Sequence, residues 1–335
     1  MDNHAADSFV FLLSVAEEGT ESIRFDETRT RIRDMARYAS IEEMWSVHRI
    51  RWNPADGPNA LQTAVEQARP ALPATRDTFY ADPFELPNGR LIVEEYDFSV
   101  GHGTIVEFDG TRRRVLLDDG IHASYPFVLS NGTTTIVIPE RAASHALTAF
   151  TYVEGQPLIP RYTCLPGLQV VDPTFLHHNG HWYLFHTRTD SSPADELHLL
   201  VTSDDPFGHE APNWQVHPLS PVLRLPRRSR PGGGPIIFGK QILLPLQDCS
   251  ASYGGRLQLW EVPELSPETI EMQPFADLEP PTWATGTHTF SPTSAAYEWL
   301  VDTKEDVFLT TSSAVARHRA GLMIGKLSRR AGTAH

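Results

Sequence analysis

Residues 80–98 read YADPFELPNGRLIVEEYDF: an acidic residue and a proline, a short apolar run, an Asn-Gly pair, and a second apolar run that closes on carboxylates. Asn and Gly tolerate the positive φ of a tight hairpin, so Asn88-Gly89 between two apolar runs predicts two paired strands. The same grammar returns at 124–141 (SYPFVLSNGTTTIVIPER) and 171–187 (VDPTFLHHNGHWYLFHT). It returns more faintly at 232–248 (GGGPIIFGKQILLPLQD) and 288–302 (HTFSPTSAAYEWLVD). The prolines that mark the five units, at 83, 126, 173, 235 and 292, lie 43, 47, 62 and 57 residues apart. Further strand candidates fill the gaps at 103–110, 111–119, 146–153, 197–203 and 257–263.

A repeat of roughly 40–60 residues holding several strands is the sequence form of a β-propeller. A β-sandwich with chance turns needs no period, so the recurrence selects the propeller. Five units, with N-terminal strands completing a blade, predict an all-β, five-bladed β-propeller over 76–335. A partly helical N-terminal extension, 1–75, is expected to pack on it within a single domain. In that extension 9–15 and 45–51 read as strands, 27–38 (capped by Asp26) and 59–69 as helices, and 70–77 as a lead-in loop.

The chain of 335 residues carries 42 acidic against 28 basic side chains, a net charge of −14. That balance argues against nucleic acid and anionic membranes, which are recognised through clustered Lys and Arg. Arg227, Arg228 and Arg230 form too short a cluster to reverse it. Two cysteines, Cys164 and Cys249, exclude a disulfide scaffold and a four-cysteine zinc site. No run approaches the roughly 20 apolar residues of a membrane span, and the N-terminus lacks the basic segment of a secretion signal. A cytoplasmic protein without membrane insertion is expected. No nucleophile elbow, P-loop or dinucleotide fingerprint occurs. His177, His178 and His181 flank a hairpin turn and should splay apart, so no zinc site, and no cofactor, is expected.

In a propeller the first strand of each blade lines the axis. Asp82, Tyr125, Asp172, the Gly232–Gly234 run and His288 should therefore converge on one funnel. The ends of the second strands (Glu94 or Glu95, Glu140, His186 and Asp248) should lie one strand further out. Carboxylates gathered in a semi-buried funnel suit acid/base chemistry on a neutral sugar. Asp82 and Asp172 also read plainly as turn carboxylates before proline. Glu94 and Glu95 face opposite sides of one strand, so at most one faces the funnel; Glu95 is carried as the substrate-binding candidate. In QDCSASYGG, 247–255, Gln247 and Asp248 can bond hydroxyl groups and Tyr253 can stack on a sugar ring; a wide turn is the plainer reading. Arg230 can hold a carboxylate or phosphate, or simply be a surface arginine.

ADPF at 81–84, DPTF at 172–175 and GHWYLF at 180–185 resemble the five-bladed furanosidase superfamily that includes glycoside hydrolase family 43. A closer resemblance is to the family-43-like propeller at the N-terminus of glucosamine inositolphosphorylceramide transferases and in bacterial stand-alone homologues. It is carried by Tyr80–Phe84, Val93–Tyr96, Ser124–Phe127, Pro139–Glu140, Val171–Thr174, Trp214, His217–Pro218, Gln247–Ser250, Tyr253–Gly254 and Gly286–Thr289, across about residues 79–302. The resemblance implies that Asp82 is a general base and that His288 lies beside the axis, where an axial calcium or water sits. It also implies an acid-tuning Asp in the second unit and a general-acid Glu opening a later one. Here Tyr125-Pro126 stands in the second unit, Asp172 opens the third and glycines open the fourth, so the hydrolase triad is incomplete.

The expectation is thus a carbohydrate-active enzyme working on a glycosidic or glycosyl-like bond, with Asp82 as base and Glu140 or Asp172 as acid. Its substrate is a small molecule or oligosaccharide, bound by Glu95, Tyr125, Arg230, Gln247, Asp248, Tyr253 and His288. Two alternatives stand beside it. One is a propeller that binds a glycan or nucleotide sugar without cleaving it. The other is a biosynthetic cyclase or lyase reusing the funnel.

Overall fold

The Asn179-Gly180 turn holds both residues at positive φ, 48° and 78°, and the strands it joins pair from Val170 to Arg188. That is the two-residue hairpin its sequence predicts. The computed structural model describes residues 41–189 and 195–308. The strand expected at 9–15 and the helix at 27–38 lie outside these.

The chain begins with β1 (Ile41–Arg51), helix α1 (Pro58–Glu66) and β2 (Arg69–Leu72). The first blade follows as β3 (Thr78–Glu85), β4 (Leu91–Asp97), β5 (Gly103–Asp109) and β6 (Arg112–Leu117), and the second as β7 (Ser124–Ser130), β8 (Thr135–Glu140), β9 (Leu147–Thr151) and β10 (Ile159–Cys164). The third comprises β11 (Val170–His178), β12 (His181–Arg188) and β13 (Glu196–Thr202), edged by β14 (Gln215–Val216) and β15 (Leu223–Arg224). In the fourth, β16 (Arg230–Pro231) and β17 (Ile236–Phe238) pair in turn along the inner edge of β18 (Gln241–Asp248), followed by β19 (Arg256–Leu265) and β20 (Ile270–Leu278). The fifth has β21 (Phe290–Pro292) innermost, then β22 (Glu298–Phe308), and takes β1 and β2 from the chain's start as its outer strands.

The ring therefore closes by an antiparallel ladder running from Ile41↔Phe308 to Arg51↔Glu298. Innermost strands neighbour one another around the axis: β3 meets β7, β7 meets β11, β11 meets β16, and β21 meets β3. The Phe290 amide donates to the Gly232 carbonyl at 2.8 Å, joining the fourth blade to the fifth. This is a five-bladed β-propeller. The segment read as a loop after Pro70 contains β2, because Arg69–Leu72 finds an open edge on β1. Helix α1 buries Leu61 and Val65 against the fourth and fifth blades.

Each of the first three blades carries the same irregularity. Asp82, Tyr125 and Asp172 have φ of 51°, 43° and 49°, each precedes a proline, and pairing slips there: between Ala81 and Phe84, Ser124 and Phe127, and Val171 and Thr174. An L-residue at positive φ costs roughly 1–2 kcal/mol, so something must hold each kink. The holder is a side chain of a neighbouring blade. The Asp82 amide donates to Asp302 Oδ2 (3.1 Å), the Tyr125 amide to Asp82 Oδ2 (3.1 Å) and the Asp172 amide to Glu140 Oε2 (3.0 Å). In the fourth blade the kinked residue is Gly233 (φ 119°), whose amide donates to the Tyr125 hydroxyl at 2.7 Å. Beyond the kinks, Phe84, Phe127 and Phe175 pack as tilted rings with centroids 5.2 and 5.4 Å apart in the core shared by the first three blades. Burying each contributes about 1.5–3 kcal/mol.

Candidate functional site

The kinks turn Asp82 and Asp172 toward the axis, and the other blades answer with Arg230, Gln247, His288 and Asp302. Asp302 ends its exposed life entirely: its exposure is 0%. Oδ1 accepts the amides of His288 (3.0 Å) and Thr289 (2.9 Å), and Oδ2 accepts the Asp82 amide (3.1 Å) and His288 Nδ1 (2.6 Å). Four donors fill its four lone-pair directions. Burial pushes its pKa up, but the His288 imidazolium and these bonds pull it below the usual carboxylate range. Burial alone would lower the His288 pKa; the adjoining Asp302 carboxylate outweighs that and raises it to about 9. The His288 ring is held flat against Trp45, with centroids 3.9 Å apart.

Asp172 is occupied in a different way. Arg230 grips it with a fork, Nε to Oδ2 at 2.6 Å and Nη2 to Oδ1 at 3.1 Å, and Gln247 Nε2 adds a bond to Oδ2 at 3.2 Å. Glu140 Oε2 holds the Asp172 amide and lies 3.9 Å from Arg230 Nη2. Burial works against the Arg230 charge, yet Asp172 keeps its pKa far above the ordinary arginine value. All four residues are buried.

Asp82 differs. Among the described residues its carboxylate accepts only the Thr289 hydroxyl on Oδ1 (2.8 Å) and the Tyr125 amide on Oδ2 (3.1 Å), with His288 Nε2 3.9 Å from Oδ1. Burial raises its pKa to about 6; the anions of Asp302 and Asp172 add to the rise, and His288 and Thr289 oppose it. Two of its four acceptor directions remain.

Above this pit lies Tyr253, from the loop between β18 and β19. Its ring sits 5.6 Å from the Arg230 guanidinium, 5.7 Å from the His288 ring and 6.3 Å from Trp45. Arg230, His288 and Trp45 are buried while Tyr253 is half-buried, so Tyr253 is the outer cover. Gly254 makes this possible. It has φ +57°, and a Cβ there would come within 2.4 Å of the Trp45 ring. Lys304 donates to Glu43 Oε1 (2.9 Å) and to the Tyr253 carbonyl (2.7 Å), tying the loop to the fifth blade.

The structure thus gathers Asp82, Asp172, Glu140, Arg230, Gln247, Tyr253 and His288 at one end of the axis. Three candidates sit elsewhere or are spent. Glu95 turns outward, because strand alternation points it across the sheet to Arg113 on β6, which it binds through a fork with Nε at 2.6 Å. Its neighbour Glu94 lies 3.7 Å from His122. Tyr125 is no ligand group: its hydroxyl is consumed by the Gly233 amide, the Gly233 carbonyl (2.9 Å) and Thr174 (2.7 Å). Asp248 faces away from the pit toward Arg256, whose Nε donates to it at 2.9 Å. Glu140 and Asp172 lie under Arg230, where neither is a free proton donor.

Sequence reading missed Asp302, Thr289 and Trp45. Asp302 is the last residue of the fifth sequence repeat, as Asp248 is of the fourth, so its position carried a signal, although β22 runs on past it to Phe308. Trp45 carried none, since nothing in 45–51 ties it to His288.

Asp82, His288 and Asp302 offer ligand atoms within 4.8 Å of one another, the set an axial cation would use. They do not fit one. Asp302 is saturated by N–H donors, which leaves Asp82 as the one carboxylate of the three with two open acceptor directions, whereas calcium needs six to eight oxygen ligands.

The sequence profile of the family described as "Glucosamine inositolphosphorylceramide transferase 1, N-terminal" matches residues 92–279, more than half of the chain. Glucosamine inositolphosphorylceramide transferase 1 of Oryza sativa subsp. indica is 27% identical over 242 residues, 64% of this chain and 31% of that protein. The Arabidopsis thaliana protein of that name is 25% identical over 225 residues, 63% of this chain and 28% of its own. The chain thus spans about a third of these relatives. Among solved structures, CoXyl43, a GH43 β-xylosidase/α-arabinofuranosidase from a compost microbial metagenome, is similar with a TM-score of 0.47 at 11% identity over 72% of this chain and 94% of that one. That likeness is too loose to transfer residue roles. By the profile match, this chain belongs to the family of the N-terminal region of glucosamine inositolphosphorylceramide transferase 1.

Proposed function

We propose that this propeller binds a carbohydrate at the Tyr253 end of its axis without cleaving it by paired carboxylates. One observation carries the reading: of the three aspartates at the axis, Asp302 is filled by four internal donors and Asp172 is clamped by the Arg230 fork and Gln247, whereas Asp82 accepts two bonds and keeps two acceptor directions. Glycoside hydrolysis uses two working carboxyl groups, one to give a proton and one to activate water or attack. Here the fourth blade offers Gly233 at its kink, and Asp172 and Glu140 are committed to Arg230 and the backbone. A single accepting carboxylate in a pit bordered by the half-buried Tyr253 is instead suited to recognition, with hydroxyls on Asp82 and an apolar sugar face on the tyrosine. The membership in a transferase's N-terminal family agrees with a binding role.

Calorimetry with a panel of neutral methyl glycosides tests this. The wild type is expected to bind at least one, and Asp82→Ala to weaken it at least tenfold. A panel that binds nowhere refutes the reading. A second reading, acid/base chemistry on a glycosyl-like bond, is favoured by the Asp82 pKa of about 6, which suits a proton exchanger near neutrality. Turnover of an aryl glycoside by the wild type that Asp82→Asn loses would establish it in place of the first.

A further inference from the structure

On the far side of the Tyr253 loop the surface opens into a cavity of about 270 Å³ lined by Asp248, Ser250, Ser252, Arg256, Glu279 and Thr285. The loop divides two spaces: Tyr253 faces the axial pit, and Ser250 and Ser252 face this cavity.

The cavity wall is a built polar surface. Asp248 ends β18 and Arg256 begins β19, so ladder pairing sets them side by side. Asp248 is 1% exposed yet charged: burial pushes its pKa up, but bonds from Ser250 and Arg256 bring it below the usual carboxylate range. Arg256 reaches from Asp248 to Glu279, with Nη1 2.6 Å from Oε1. Helix α1 fixes the Glu279 side. Gln62 exchanges two bonds with the Glu279 backbone (3.2 and 3.1 Å), and Glu66 accepts the Thr282 amide and hydroxyl (3.1 and 3.0 Å).

The result is a donor–acceptor row, the Arg256 guanidinium and the Glu279 carboxylate, backed by the buried Asp248 and facing the serines of the loop and Thr285. Asp277 also lies 3.7 Å from Arg256, so acid outnumbers base and an anionic ligand is repelled. Arg256 already fills the space between the carboxylates, so a metal cation has no opening there. Vicinal hydroxyls, each both donor and acceptor, match such a row. The volume lies just below the usual range of about 300–1,000 Å³ for small-molecule sites, the size of one ring rather than a chain.

We propose that this cavity is a second sugar subsite, taking one neutral, polyhydroxylated ring. The inference rests on the carbohydrate reading above and adds to it a site on the other face of the same loop. The test is calorimetry of the full chain with methyl glycosides of glucose, galactose, mannose, xylose and N-acetylglucosamine. Glucose 1-phosphate and calcium chloride serve as the anionic and cationic probes. Two variants close the cavity differently: Ser252→Trp fills it, and Glu279→Ala removes one end of the row. Unchanged thermal melting certifies that each is folded. The expected result is binding of a neutral glycoside that both variants weaken at least tenfold, with the phosphate at least tenfold weaker than its neutral counterpart. Wild-type binding in both variants, alongside loss in Asp82→Ala, overturns the subsite and leaves the axial reading intact. Tighter binding of the phosphate or of calcium at this wall also overturns it. Absence of glycoside binding in the wild type overturns both.

Discussion

Replacing His288 by Gln keeps an N–H donor for Asp302 and removes the positive charge. The folded imidazole titrates at about 9 against 6.5 for an ordinary histidine. A raised folded pKa means that the native state holds the proton more tightly than the unfolded chain. The associated stability is therefore complete below about pH 6.5 and is lost as pH rises through 9. At roughly 1.4 kcal/mol per pKa unit, the shift is worth about 3 kcal/mol. Asp82 has the same sign in a lower window: its pKa is raised from 3.8 to about 6, so the stability tied to its proton is lost as pH rises through that range. Because His288 holds the Asp82 pKa down, removing the charge lifts that upper limit further. Urea unfolding followed by tryptophan fluorescence, at several pH values from about 6 to about 10, reads the difference directly. The wild type should lose about 3 kcal/mol through His288 across that span, and His288→Gln, left with only the lifted Asp82 titration, should lose less. At the acid end the variant should already be about 3–5 kcal/mol weaker, since it strands a buried carboxylate. Parallel stability curves for the two proteins would refute the ion-pair account of this site.

Arg230→Met leaves the buried Asp172 with Gln247 alone and should cost about 3–5 kcal/mol in urea unfolding, while the double variant with Asp172→Asn should recover part of the loss; equal losses in single and double variants would contradict the fork. Gly233→Ala should not give folded protein, because a Cβ there would come within 2.1 Å of the Phe290 carbonyl oxygen, whereas Gly239→Ala, also at positive φ but in open space, should fold with a loss of only about 1 kcal/mol. Circular dichroism of the purified pair decides it. Tyr125→Phe removes the partner of the Gly233 amide and should cost about 1–3 kcal/mol without altering glycoside affinity, as measured by unfolding and calorimetry together.

The architecture was legible because its determinants are local and repeated. Asn-Gly turns, prolines after Asp82, Tyr125 and Asp172, and alternating apolar strands each state their own geometry. The convergence of Asp82, Asp172, Arg230 and His288 followed from the radial repeat. What did not follow was how each group is used. Asp82 and Asp172 open their units with the same dipeptide, yet one keeps free acceptor directions and the other is clamped, because the difference lies in Arg230, 58 residues further on. The fate of Glu95 turned on Arg113, two strands across the sheet. Trp45 could not be placed at all, because its partner His288 lies in the chain's last blade.

That separation sets the order in which the site comes into being. On a ribosome, β1 emerges among the first described strands and β22 as the last, so the tryptophan must wait for nearly the whole chain before the imidazole it covers exists. Four blades can be translated and paired while the binding end is still unformed. A polypeptide cut short before Glu298 would lack Asp302 and the partner strand of β1 together, losing the ring and its ligand site in a single step.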